Sequence, residues 1–250
     1  MRHLKIFLPL CLFAFSFMQL FSMPDSGMMA IEQAAKEDKH LFVFFYKEQN
    51  ERTKRMERVF DEFQTSSGEK ARFIKINSTI PNAKPMLEKF NLNRSPMPFV
   101  LVLAPNGAVT GAYTASFTEQ ELADSFSSQG MASCLKALQD NKLVFLCFQN
   151  QNTAGNEAAL KGVSDFKADS RFGATTEMVL IDPLNIEERK FLNQLSVEPQ
   201  LTQAATILIA PPAETIGRYH GATYKEQFIS DLQKAVSGCC GSGGCCPGGC

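Results

Sequence analysis

The chain has 250 residues, 44% of them hydrophobic, and a formal net charge of −1. That length accommodates two domains of roughly 100 residues each beside short terminal segments. Near-balanced charge and the lack of a basic stripe interleaved with aromatics exclude nucleic acid as a partner, and 21 Phe with no Trp point to phenylalanine-filled cores.

Met1-Arg2-His3-Leu4-Lys5 is a basic head, followed from Ile6 to Phe21 by an apolar run without a charge. The run is shorter than the ~20 residues a membrane span needs and suits the core of an export signal. Residues 1–23 are therefore expected to be a signal peptide, or an N-terminal anchor attaching the chain to a membrane through residues 6–21 if it stays uncut. The expected location is extracytoplasmic, in a periplasm or secreted. Neither cleavage candidate, Ser22 or Ser26, has a small residue at the −3 position. Cys11 follows Leu8-Pro9-Leu10 and lacks the small preceding residue that lipid attachment wants, so lipidation is rejected.

From Met28 to Lys39 the pattern predicts a helix with Ile31, Ala34 and Ala35 on one side. Leu41 to Tyr46 is a continuous apolar run of strand length, as expected of a strand buried on both faces. Asn50 is placed to cap a helix whose apolar positions Met56, Val59, Phe60 and Phe63 follow the i, i+3, i+4, i+7 rule. Phe73 to Ile76 reads as a strand, and Ala83, Met86, Leu87 and Phe90 mark a helix. Pro98 to Tyr113 reads as a strand, a Pro105-Asn106-Gly107 turn and a shorter strand. Thr118-Glu-Gln-Glu121 is a capping box opening a helix through Leu122 and Phe126.

Ser125 to Ser133 has linker composition, with Gly130 as its breaker, and after it the series starts again. Cys134 to Asp140 repeats the leading helix, and Lys142 to Phe148 the first strand, with Cys147 set where Phe45 stands. Asn156 to Phe172, Met178 to Asp182 and Glu187 to Leu195 give helix, strand and helix. Thr206 to Tyr219 echoes the hairpin: Ala104-Pro105 falls on Ala210-Pro211, Gly111 on Gly217 and Tyr113 on Tyr219, all at an offset of 106. Thr223 to Glu226 repeats the capping box ahead of Phe228, Ile229, Leu232 and Val236. An offset that long denotes two copies of a whole domain, since solenoid repeats are shorter. The expected organisation is 24–128 and 129–237 as two domains, with 238–250 as a Cys/Gly-rich tail expected to be flexible.

The order α-β-α-β-α-β-β-α resembles the thioredoxin-like fold. The resemblance is carried by Ala35-Lys36-Glu37-Asp38-Lys39-His40 before the first strand and by Arg94-Ser95-Pro96-Met97 before the third. It implies an α/β fold of two thioredoxin-like domains, each a central mixed β-sheet flanked by helices. It also implies a cis-proline beside the active site, for which Pro96 is the candidate, with Thr202 at that place in the second copy. Redox-active members carry Cys-x-x-Cys at the start of the helix after the first strand, where the helix N-terminus lowers the thiol pKa. Here Asn50-Glu51-Arg52-Thr53 stands there, and Asn152-Thr153-Ala154-Gly155 in the second copy, so both dithiol sites read as lost. The charged run Glu48 to Arg58 reads as a solvated helix face.

Cys134 and Cys147 read as core filler, with a disulfide between them left open. His3, His40 and His220 form no constellation. Five of the eight cysteines lie in the tail: Cys239, Cys240, Cys245, Cys246 and Cys250, among glycines and without a charge. Three readings compete. The thiolates bind a soft metal, Zn²⁺ or Cu(I); or Cys239-Cys240 form a mobile redox arm, resembling the vicinal-cysteine arms of some disulfide reductases; or the cysteines make structural or intermolecular disulfides. With Cys11 removed seven cysteines remain, an odd number that cannot all pair within one chain. The expected function is an exported binding or scaffold protein with a metal-binding tail and an unknown protein or metal-handling partner. The alternatives are a thiol–disulfide oxidoreductase using the tail cysteines and a structural cell-envelope protein.

Overall fold

Leucine, valine and phenylalanine alternate through His40–Tyr46, and this strand, β1, organises the first half of the molecule. The computed structural model describes residues 26–238. Leu41, Val43 and Phe45 enter one core layer with Ala30, Ala34, Met86 and Leu87, while Phe42 and Phe44 enter the other with Met56, Phe60 and Phe63. Both faces of β1 are therefore dry, which is why its sequence shows no polar alternation. Each fully buried phenylalanine contributes about 1.5–3 kcal/mol.

The first half runs α1 (Ser26–Lys36), β1, α2 (Glu51–Ser67), β2 (Ala71–Asn77), α3 (Lys84–Lys89), β3 (Phe99–Leu103), β4 (Val109–Tyr113) and α4 (Glu119–Asp124). The second runs α5 (Gln129–Gln139), β5 (Leu143–Phe148), α6 (Asn156–Lys167), β6 (Thr176–Ile181), α7 (Arg189–Gln194), β7 (Ala205–Ala210), β8 (Glu214–His220) and α8 (Lys225–Gly238). The sheets have the orders β2-β1-β3-β4 and β6-β5-β7-β8. In each, the first pair is parallel and the other two are antiparallel. This is the expected fold class: two mixed sheets of thioredoxin-like order, each flanked by helices.

The offset of 106 is visible in the ladders. Val102 pairs with Gly111 and Leu208 with Gly217, and each hairpin has its irregularity at the next step, Val102/Leu103 and Leu208/Ile209. The Gly-x-Tyr echo has a steric cause. A Cβ at Gly111 would collide with the Ser125 hydroxyl and press on the Tyr113 ring; one at Gly217 would collide with the Tyr219 hydroxyl. Each tyrosine lies back across its glycine and donates to the following helix region, Tyr113 to Glu121 O at 2.6 Å and Tyr219 to Asp231 Oδ2 at 3.0 Å.

Two readings of the sequence are corrected. The linker expected over Ser125 to Ser133 is shorter, because α5 begins at Gln129 with Ser128 as its N-cap. Gly130 does not break the chain. It is buried in the first turn of α5, its N–H donates to Glu188 Oε1 at 2.8 Å, and a side chain there would press on that carboxylate. The second correction is one of register. Phe45 pairs with Phe99, and the residue paired with Ala205, the partner of Phe99 in the repeat, is Phe148 rather than Cys147. Cys147 therefore stands where Phe44 does, and a one-residue slip moves a side chain to the other face of the sheet. Cys147 packs with Phe145, Val163 and Phe166, whereas Cys134 packs on the opposite layer with Val144, Leu146 and Phe148. Both thiols are free, and the sheet separates them.

Candidate functional site

In this architecture the N-terminus of α2 and the loop entering β3 converge at one end of the first sheet. Asn50 caps α2 as its sequence position predicts. Its Oδ1 accepts the Thr53 N–H at 2.9 Å and the Thr53 hydroxyl at 3.2 Å. Thr53 is buried, so the carboxamide and hydroxyl satisfy each other and leave no free nucleophile at the helix start. Arg52 reaches across to donate to the Thr114 carbonyl.

The cis peptide expected at Pro96 lies two residues later, between Met97 and Pro98. Pro98 is buried and directly precedes the first residue of β3, whereas Pro96 is exposed. The two prolines flank a single residue, and only the position of the strand start separates them. The repeat offset then moves the corresponding place in the second half from Thr202 to Ala204. A groove of about 510 Å³ runs between these elements, lined by Asn50, Thr53, Leu87, Arg94, Ser95 and Met97.

The second half is closed at the same place. Its strand-to-helix loop is longer, and α6 begins after Gly155, so Asn152 to Gly155 form the loop rather than the first helical turn. Thr153 donates to Asn156 Oδ1 at 2.6 Å, and the Asn156 amide donates to Asn150 O at 2.7 Å. The Ala154 N–H donates to Thr202 O, and the Ala204 N–H to Ala154 O. Backbone pairing therefore fills the space that is a groove in the first half.

The two described cysteines are far from thiolate chemistry. Burial pushes the Cys134 thiol up to about 11 and the Cys147 thiol up to about 12, the latter partly offset by a hydrogen bond with Thr206. Cys239, Cys240, Cys245, Cys246 and Cys250 lie outside the described residues, as do residues 6–21 and Cys11. Among the described residues no cluster of three His, Cys, Asp or Glu side chains is placed to hold a metal, and no helix is long and apolar enough to cross a membrane.

One constellation was invisible to sequence reasoning because its members are 87 residues apart. His40, at the start of β1, is 8% exposed. Its Nε2 accepts the Ser127 N–H at 3.1 Å and lies 3.0 Å from Ser127 Oγ. Its ring meets Phe126 edge-on, with centroids 5.1 Å apart. These residues border a cleft of about 690 Å³ between the halves, together with Asp38, Glu187 and Lys190. Glu188, also unforeseen, is buried and accepts from the Ser128 hydroxyl at 2.5 Å. A lone histidine before an apolar run and a glutamate in a helix carry no signal of such partners.

No protein-family model matches the chain, and no curated protein matches it. Among solved structures it is similar to the germline-specific thioredoxin Deadhead of Drosophila melanogaster, at 22% identity and a TM-score of 0.30, covering 37% of this chain and 81% of that one. It is likewise similar to mitochondrial thioredoxin 3 of Saccharomyces cerevisiae, at 14% identity and a TM-score of 0.31, over 38% of this chain and 84% of that one. For the oxidised thioredoxin of Plasmodium falciparum the values are 18% and 0.30, over 37% and 82%.

Proposed function

We propose that this chain is an exported tandem thioredoxin-like binding or scaffold protein, redox-inactive at the usual dithiol position, whose tail cysteines bind a soft metal. The carrying observation is the Asn50 carboxamide closed on Thr53 at the start of α2, where dithiol exchange would need an activated thiolate. Cys134 and Cys147 cannot replace it, since both are buried on opposite faces of the second sheet. The open groove of the first half is the surface on which a protein partner would bind. Export is supported by the basic head and apolar run of residues 1–23, and metal binding by the five tail thiols without competing charge.

The test measures metal content, free thiols and disulfide-reductase turnover on the purified chain, with and without residues 238–250. About one Zn²⁺ or Cu(I) per chain that is lost with the tail, and no turnover, is the expected result. Turnover abolished by Cys239→Ser and Cys240→Ser would overturn the redox-inactive reading in favour of a mobile dithiol arm. Absence of metal together with disulfide-linked oligomers on non-reducing electrophoresis would favour a cross-linked structural protein.

A further inference from the structure

We infer that His40 is a proton-operated latch on the connection between the two halves: as the neutral ring it accepts the Ser127 N–H and holds Ser125 to Ser128 against β1, and on protonation it lets go. The geometry fixes the ring's state. A backbone N–H is always a donor, so Nε2 must offer a lone pair, and the proton of the neutral imidazole sits on Nδ1. Protonation turns Nε2 into a donor. The Ser127 N–H then has no acceptor there, while the hydroxyl can turn to accept from the ring.

The charged groups around the ring come from both halves. Asp38, in the turn before β1, favours the protonated form. Glu187 and Lys190 border the same cleft from the second half, and Lys190 is already engaged, donating to Asp124 O at 2.7 Å with its carboxylate at 3.5 Å. The Phe126 ring meets the imidazole at 72°, centroids 5.1 Å apart. Burial opposes the charge more strongly than Asp38 supports it, and holds His40 below the ordinary imidazole range. The sign follows. A histidine whose folded value is depressed contributes stability that is present above about pH 6.5 and is lost as pH falls through the folded value.

The other end of the contact is held by hydrogen bonds between groups that do not titrate, with the Lys136–Asp140 ion pair and Glu32 bordering it. Gln139 of α5 accepts the Val109 N–H at 2.9 Å and donates to Val109 O at 2.8 Å, beside a small apolar joint of Ala104, Ala108 and Ala132. Acidification therefore loosens the His40 end and leaves the Gln139 end as the pivot, so the cleft between them widens.

The experiment is amide exchange on the full chain at about pH 7.5 and about pH 5.5, corrected for intrinsic exchange, with ¹⁵N spectra of the His40 ring. Protection over residues 124–130 should fall about tenfold on acidification in the wild type. In His40→Gln it should be independent of pH, because the side-chain oxygen accepts the Ser127 N–H at both values. Unchanged protection while the His40 ring titrates, or the same loss in His40→Gln, would overturn the latch. So would an Nε2–H tautomer at the higher pH, a measurement on the wild type that decides the matter even if His40→Gln does not fold.

Discussion

The joint between the leading helix and the third helix is built twice in this molecule, once from apolar groups and once around a carboxylate. In the first half Gly27 of α1 faces Met86, and the residue ahead of α3 is the buried Ala83; a Cβ on Gly27 would press on Met86 Sδ and Ile76 Cδ1. In the second half Gly130 of α5 faces Glu188, the residue ahead of α7. In both, a Cβ on the glycine would meet a side chain of the facing element, at 2.7 Å in the first half and 2.8 Å in the second. What differs is the neighbour. Ser128 enters the second joint from the connection between the halves, and its hydroxyl and the Gly130 N–H would be left without acceptors if the filling were apolar. The carboxylate is the polar version of a packing contact, placed where the chain crosses from one half to the other.

The largest expected effect comes from exchanging the two fillings. Glu188→Ala leaves two donors without partners and a void, and should destabilise the chain by about 3 kcal/mol. Ala83→Glu should cost at least about 3 kcal/mol, because no donor pair awaits its charge. Urea unfolding of both variants measures this. A loss below about 1 kcal/mol for Glu188→Ala would mean that Ser128 and Gly130 find water instead.

The second comparison is between the paired glycines of the hairpins. Gly217→Ala forces the Tyr219 hydroxyl off its position and breaks its bond to Asp231, so it should cost about 2 kcal/mol, whereas Tyr219→Phe, which loses the bond without the collision, should cost about 1 kcal/mol. Thermal unfolding with near-ultraviolet dichroism of the tyrosines separates the two. Equal losses would mean that the tyrosine relaxes freely and that the glycine is not required for its placement.

Local physics is what the sequence made legible. Asn50 capping α2, the reciprocal Thr118–Glu121 box and the apolar spacing of Met56, Phe60 and Phe63 all act within one turn or a few, and all were readable in order. The hairpin echo was readable because its glycine and tyrosine act on each other two residues apart. Failures came where a distant partner decides. Gly130 looks like a breaker until Glu188, 58 residues on, is known to lie on its N–H. Cys147 and Phe148 are adjacent, and only pairing with β7 tells which of them faces α5. The absence of cysteine from Asn50 to Thr53 was readable directly, but the groove beside them was not, and the cis bond was set on the wrong member of Pro96 and Pro98. His40 and Ser127 had no sequence signal at all.

The smallest effect concerns the outer edges of the two sheets. β4 reads Val-Thr-Gly-Ala-Tyr and carries no charge, and the Gln139 side chain pairs with Val109 as the peptide group of a further strand would. β8 reads Glu-Thr-Ile-Gly-Arg-Tyr-His, with Glu214 and Arg218 on a largely exposed strand. Charge on an edge discourages pairing with another chain, while an uncharged edge needs covering. Gln139→Ala should therefore cost only about 1 kcal/mol, since both freed groups can reach water, but it uncovers the bare edge. Faster exchange of the Val109 amide and self-association that rises with concentration in sedimentation are the expected results. Glu214→Ala and Arg218→Ala together should produce the same association from the other edge without any change at Val109. If Gln139→Ala remains monomeric while the β8 double variant associates, charge alone protects this fold's edges and the side-chain amide serves only to fix α5 against β4.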